Sequence, residues 1–336
     1  MAGVLAGFTV VWVIILVGMV VGKSGVLGDS AQRTLSQFAF WVASPCLLFL
    51  TVSETPVAVI FSAPLAVAMV SAWGTALLWI ALCGTHRWLR RRKSSPTHSP
   101  QPATSDGVVI RKSPESRPGL GRVVMSGQAA SQVNSTNLGI PLTTFVLGDA
   151  SYMVPVLLFQ LAINTPVYLI IMDTVVLGRQ PNIGSVLRSV ATNPMVMGSL
   201  LGVLFAVTGW QLPELVFQPV ELIAGAAIPC MLAAFGMSLI QHRPLQGTRA
   251  HKAQVAALCA LKLLVMPTVA WLCGMALGLD GITLYGVVLM ASLPTAQNVY
   301  VAAVRYATAE SVTRDVVLVT SLAAMVTMAG VALLLA

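Results

Sequence analysis

Two stretches carry side chains whose types and spacing suit the binding of a small anion. The first runs Asn134-Ser135-Thr136-Asn137-Leu138-Gly139-Ile140-Pro141. The second runs Ser292-Leu293-Pro294-Thr295-Ala296-Gln297-Asn298-Val299-Tyr300. Asn134 and Asn137 are three residues apart and share a helix face, so their amides can donate to one carboxylate. Gln297, Asn298 and Tyr300 offer donors from the second stretch. Gly139, Pro141 and Pro294 are helix breakers. Each stretch lies inside an apolar segment long enough to cross a membrane, where lipid offers no partner to a freed backbone group. Breaks at that depth persist only where they line a cavity or pack against protein. A proline suits the first turn of the half-helix that follows a break, and the N-terminus of that half-helix carries about half a positive charge. Two such ends meeting at mid-depth make an anion site without placing Lys or Arg at a helix centre, which costs about 2.5–3.5 kcal/mol. A plainer reading stays open beside this one: the asparagines cap the broken helix, Gly139 and Pro141 make the break, and Tyr300 packs.

The elements that must position these stretches are membrane helices. The 336 residues are 57% hydrophobic and 9% charged, with a mean hydropathy of +0.85; a soluble domain is about 25% charged. Ten apolar spans are expected at roughly 3–22, 35–52, 61–83, 123–146, 152–176, 190–208, 215–239, 254–277, 282–304 and 314–335, each near the ~20 residues that cross a bilayer. Pro45, Pro64, Pro166, Pro229 and Pro267 interrupt several spans and read as ordinary kinks. Every Lys and Arg except Lys262 falls at alternate span ends. The other ends carry Glu54, Asp149, Glu214 and Asp280 instead. By the positive-inside rule the protein is a multi-pass protein of the cell membrane with both termini outside.

Five spans per half makes the halves enter the membrane from opposite sides. Pro45-Cys46 in the second span matches Pro229-Cys230 in the seventh, and the fourth and ninth spans are broken at Pro141 and Pro294. The expected fold is all-α, ten transmembrane helices in two inverted five-helix repeats. The chain divides into spans 1–3 (1–84), a basic inner linker (85–121), spans 4–5 with the first break (122–178) and the second repeat (179–336). The linker holds Arg90-Arg91-Arg92-Lys93 followed by Ser, Pro, Thr and Gln. It is too polar to fold alone, and its basic run sets topology or attracts anionic lipid headgroups.

Other charges inside or near span ends are Lys262, Asp173, Glu221 and Asp315. Lys262 either snorkels to the inner surface or pairs with Asp173 or Asp315, or with the substrate. Asp173 and Glu221 are candidates for proton coupling, or boundary carboxylates. Neither break contains an acid, which favours transport driven by the anion gradient and the membrane potential. Five cysteines show no disulfide framework. The four histidines sit in inner loops, and nucleophile, metal and phosphate-loop patterns are absent from the sequence. The expectation is a carrier with no metal or other cofactor and no nucleic-acid partner, not an enzyme. A membrane sensor binding a carboxylate at the same place is the alternative, with membrane lipid and a small organic anion as the partners in either case.

Asn134-x-x-Asn137-x-Gly139-x-Pro141 resembles the signature of the auxin efflux carrier family, which includes bacterial malonate and malate permeases. Asn193-Pro194, the run from Glu221 to Pro229 leading into Phe235-Gly236-Met237-Ser238-Leu239, and the stretch from Leu293 to Tyr300 followed by Arg305-Tyr306 agree with it. Val133 departs from the family, where glycine is frequent. The resemblance implies that helices 4 and 9 cross, as in the sodium/proton antiporter and bile-acid transporter fold. It implies a scaffold of spans 1, 2, 6 and 7 that forms a homodimer, and a moving part of spans 3–5 and 8–10. Small carboxylates would be exported or exchanged by an elevator-like motion, with Asn134, Asn137, Pro141, Pro294 and Asn298 on the crossover.

Overall fold

The structure is a computed structural model. It describes residues 2–28, 30–56, 62–93, 118–178, 184, 187, 188, 191–240, 245 and 248–335; most of the expected linker, 94–117, lies outside them. In chain order the helices are α1 (Ala2–Ser24), α2 (Ala31–Ser53), α3 (Ala63–Lys93), α4 (Pro118–Ser131), α5 (135–147), α6 (Ala150–Val176), α7 (Pro194–Thr208), α8 (Glu214–Leu239), α9 (Arg249–Ala276), α10 (Gly281–Ala291), α11 (Gln297–Arg305) and α12 (Glu310–Leu335). Among the described residues, six are long and apolar enough to cross a membrane: α2, α3 over Ala63–Thr85, α6, α8, α9 and α12. Shorter apolar helices cover Thr9–Ser24, Asn137–Leu147, Pro194–Thr208 and Gly281–Ala291. The protein is an all-helical, multi-pass membrane protein.

The prolines do more than kink. Pro45, Pro141, Pro166 and Pro267 each follow a π-helical stretch by two residues: Ala39–Ala43, Ser135–Gly139, Phe159–Asn164 and Leu261–Val265. A proline has no N–H, and its ring collides with the carbonyl four residues back. Widening the turn so that bonds span five residues gives those carbonyls another donor. For Pro45, Pro166 and Pro267 the expectation of ordinary kinks is refined to π-turns; Pro64 and Pro229 follow no such turn among the described residues. Such turns gather at functional sites, and three of these four hold residues singled out by the sequence or lining the site.

Helix packing rests on small residues, as membrane interiors require in the absence of a hydrophobic drive between helices. α1 packs along the second half of α8, and α7 along the second half of α2. A Cβ on Gly18 would strike the Ala233 carbonyl oxygen, and one on Gly236 that of Ile15. Gly198 lies equally close to Pro45, and Gly202 to Phe49. The entry to α7 is closed by Asn193, whose Oδ1 accepts from Met195 N at 3.0 Å and Val196 N at 3.4 Å, with Pro194 in the first turn. One large cluster of buried side chains joins this packing to the breaks, running from Ile15 and Phe235 to Val133, Leu138 and Leu293.

Gly236→Val in purified protein should lower stability by about 1–3 kcal/mol, the usual cost of overpacking, read as a fall in thermal midpoint. Gly225→Ala, where a Cβ meets open space, should leave the midpoint unchanged; equal effects would remove the close-packing account.

Candidate functional site

The chain leaves helical form between α4 and α5, at 132–134, and between α10 and α11, at 292–296. These two breaks touch. Val133 and Thr295 form an isolated antiparallel bridge. Asn134 N donates to Pro294 O at 2.8 Å, and Ala296 N donates to Gln132 O at 3.2 Å. Thr295 pins the second break further, its N donating to Thr320 Oγ1 at 3.1 Å and its Oγ1 to Ala129 O at 2.7 Å. Backbone groups freed by each break are thus answered by the other break and its neighbours.

The positions of the breaks correct the sequence expectation for both prolines. Pro141 is not at the first turn after a break; it lies inside α5, behind the π-turn it causes. Pro294 lies within the extended stretch, three residues before α11. There its missing N–H is not needed and its carbonyl is the acceptor for Asn134. Gly139 is buried where a Cβ would press on Met153 and Leu293, a packing role.

The two half-helices open differently. Asn134 is the cap of α5, its Oδ1 accepting from Asn137 N at 3.3 Å. Its Nδ2 is buried with no hydrogen-bond partner among the described residues. Asn137 is half-buried in the first turn, and the cap uses its backbone N–H and Asn134 Oδ1, neither of the two side-chain amide donors. α11 opens at Ala296, which has no side-chain oxygen to cap it. Gln297 Nε2 donates to Ser238 Oγ of α8 at 2.7 Å, and Asn298 is exposed. Tyr300 is not beside the breaks; it lines a separate cavity with Arg122 and Arg314.

A cavity of about 840 Å³ reaches the first break. Its lining includes the exposed Glu54 and Asp149 at one extreme and the buried Val133, Gln160, Met266 and Ala291 at the other. None of the side chains expected to bind substrate lines it; the break reaches it through Val133, and Gln160 provides its polar floor.

Around that floor lies a polar network that sequence reasoning did not single out. Ser135 Oγ donates to Gln160 Oε1 at 2.8 Å, and Gln132 Nε2 lies 3.5 Å from the same oxygen. Asn164 Nδ2 donates to Gln132 Oε1 at 2.6 Å, and Trp73 Nε1 to Asn164 Oδ1 at 2.9 Å. The π-turn Phe159–Asn164 holds both Gln160 and Asn164. Spacing was the available signal: Gln128 with Gln132, and Gln160 with Asn164, are polar pairs four apart in otherwise apolar runs, which places each pair on one helix face.

Lys262 neither snorkels nor meets an acid. It is 0% exposed, and its Nζ donates to Ala291 O at 2.8 Å, with Met266 Sδ at 3.3 Å. Ala291 ends α10 just before the second break. A helix C-terminus carries about half a negative charge, so this is where a buried cation is best tolerated. The expected partners are engaged elsewhere. Asp173 accepts from Tyr306 OH at 2.7 Å. Asp315, 0% exposed, lies 2.8 Å from His251 Nε2 and accepts from Leu245 N and Arg314. Glu221 is exposed on α8. Among the described residues no group of three metal-ligating side chains is found.

The family model described as "Membrane transport protein" matches residues 7–95 and 116–332. The chain belongs to this family. The match bears out the resemblance to auxin efflux carriers and makes the protein a membrane transporter, not an enzyme. A protein of Rhizobium meliloti (strain 1021) named "Putative malonate transporter" is 27% identical over 308 residues, covering 89% of this chain and 86% of the relative.

Within the transporter, the bond between Gln132 and Asn164 joins the first break to α6. Interhelical hydrogen bonds in membranes couple by about 0.6 and at most about 1.7 kcal/mol. A double-mutant cycle of Gln132→Leu and Asn164→Leu, read by reversible unfolding in detergent micelles, should give a coupling in that range; additive effects would show that the contact does not hold the break.

Proposed function

We propose that the transporter carries small organic anions, mono- or dicarboxylates, across the membrane by alternating access, with the anion held where the two breaks meet. The observation that carries this is the buried Asn134 Nδ2 at the bridged breaks, which has no hydrogen-bond partner among the described residues. An unsatisfied buried donor costs about 1–3 kcal/mol, and an arriving carboxylate oxygen would satisfy it. The N-terminal ends of α5 and α11 add partial positive charge, and the uncapped opening of α11 adds backbone donors. The relative's name, a malonate transporter, supports a dicarboxylate among the candidates.

In this reading the fold is ten spans in two inverted repeats, α1–α6 and α7–α12. The packing supports it: α1 lies on α8 while α7 lies on α2, the exchange that a twofold relation between repeats requires. The glycine contacts and the Pro-Cys pairs of α2 and α8 follow the same exchange. The scaffold is α1, α2, α7 and α8, through which a homodimer would form; α3–α6 and α9–α12 move as an elevator. The Gln297–Ser238 bond crosses from the moving part to the scaffold and must part during that motion. Both termini lie outside, so the 840 Å³ cavity opens outward. Neither break carries an acid, and the anion gradient with the membrane potential drives transport.

Asn134→Asp separates capping from binding. The carboxylate keeps the acceptor for Asn137 N, but it loses the Nδ2 donor and repels an anion. In proteoliposomes the variant should lose malonate and succinate transport by at least about tenfold per folded carrier, the loss of one charge-assisted hydrogen bond, and its thermal midpoint should fall because the new carboxylate is buried. Wild-type rates would remove Asn134 from the site.

A further inference from the structure

Among the described residues two cavities differ in charge, and of these two the first reaches the bridged breaks through Val133. The 840 Å³ cavity is lined by the carboxylates Glu54 and Asp149, and no Lys, Arg or His lines it among the described residues. Glu54 and Asp149 are both exposed. The second cavity, of about 350 Å³, is lined by Arg122, Tyr300, Ala309, Glu310, Ser311 and Arg314. It gathers the start of α4, which leads into the first break, the middle of α11, which leaves the second, and the first turn of α12. Tyr300 stands three residues after Gln297, the first residue of α11.

The two arginines are prepared differently. Asp315 holds Arg314 through Nε at 3.2 Å and Nη2 at 3.1 Å, which orients the guanidinium and leaves Nη1 unengaged among the described residues. Arg122 is exposed and makes no ion pair among the described residues. Glu310 lines the same cavity without pairing with either arginine. Two guanidinium groups, a phenol and a hydroxyl around a space of this size suit one carboxylate of a small acid, since guanidinium matches carboxylate in a planar fork.

We propose that the Arg122–Tyr300–Arg314 cavity is a second anion site, the loading site of the carrier. A small carboxylate docks there from the arginine-bearing face, passes to the bridged breaks and leaves through the vestibule lined by Glu54 and Asp149. Two arginines against the single carboxylate of Glu310 leave the arginine-lined cavity net positive, while Glu54 and Asp149 are the charged groups of the vestibule, so the first concentrates anions and the second disfavours them. The carrier therefore has a low half-saturation concentration from the arginine face and a high one from the carboxylate face. The gradient still sets the net direction. This inference rests on the anion-carrier reading above.

The test uses full-length protein in proteoliposomes of known orientation, with radiolabelled malonate presented to either face. The half-saturation concentration should be lower from the arginine face. Arg122→Gln should raise that value about tenfold, the loss of one charge-assisted contact, with no change from the other face. Glu54→Gln, whose carboxylate has no hydrogen-bond partner among the described residues, should lower the value from the carboxylate face only. Equal half-saturation from both faces, or an Arg122→Gln effect of equal size on both, overturns the loading site while leaving the anion-carrier reading intact. Absence of malonate and succinate transport in the parent protein overturns both. Phosphatidylcholine vesicles are compared with vesicles containing phosphatidylglycerol. An Arg122→Gln effect confined to the anionic vesicles overturns the proposal in favour of a lipid headgroup in the cavity; the same effect in both supports the soluble carboxylate.

Discussion

The structure depends on the bridge between residues 132–134 and 294–296. In a membrane, an unpaired peptide group has no water to turn to, so a helix can be broken only if its loose donors and acceptors find partners in protein. Here each break answers the other. Asn134 N reaches Pro294 O, and Ala296 N reaches Gln132 O. Neither break is satisfied in this way without its counterpart, so the two must be brought together by everything that packs around them. Thr295, held by Ala129 O and Thr320 Oγ1, and Gly139, pressed against Leu293 and Met153, are parts of that requirement.

Once the bridge exists, its ends acquire chemistry. α5 is capped by Asn134, whose Nδ2 has no partner among the described residues; α10 ends at Ala291 with Lys262 on its carbonyl. The N-terminal end of one broken helix and the C-terminal end of the other are thus treated by different side chains, one inviting an acceptor from outside and one supplying a donor from within. The proposed anion site and the buried lysine are two consequences of the same interruption of helical bonding.

The π-turns connect proline positions to site geometry. A π-turn inserts one residue into the helical count, which rotates every later side chain by about 100°. In α6 the turn before Pro166 contains Gln160, bonded to Ser135, and Asn164, bonded to Gln132; in α9 the turn before Pro267 contains Lys262, bonded to Ala291 O. Prolines that look like incidental kinks in a membrane sequence thus stand directly after the turns that hold residues of the breaks' surroundings.

What the sequence by itself determined is what local chemistry and the membrane decide: a helical multi-pass chain, two interrupted apolar segments holding Asn134 and Pro294, and a confinement of all Lys and Arg but Lys262 to alternate segment ends. Hydropathy, charge and breaker residues act over a few neighbours, so they can be read along the chain. The tertiary structure alone decided which groups meet. It placed the first break at 132–134 rather than at Pro141, spent Asn134 Oδ1 on Asn137, carried Tyr300 to a different cavity and buried Lys262 against a carbonyl 29 residues on. Those outcomes turn on helix faces that π-turns rotate and on partners far away in sequence. No spacing rule with a fixed period of 3.6 residues reaches that far.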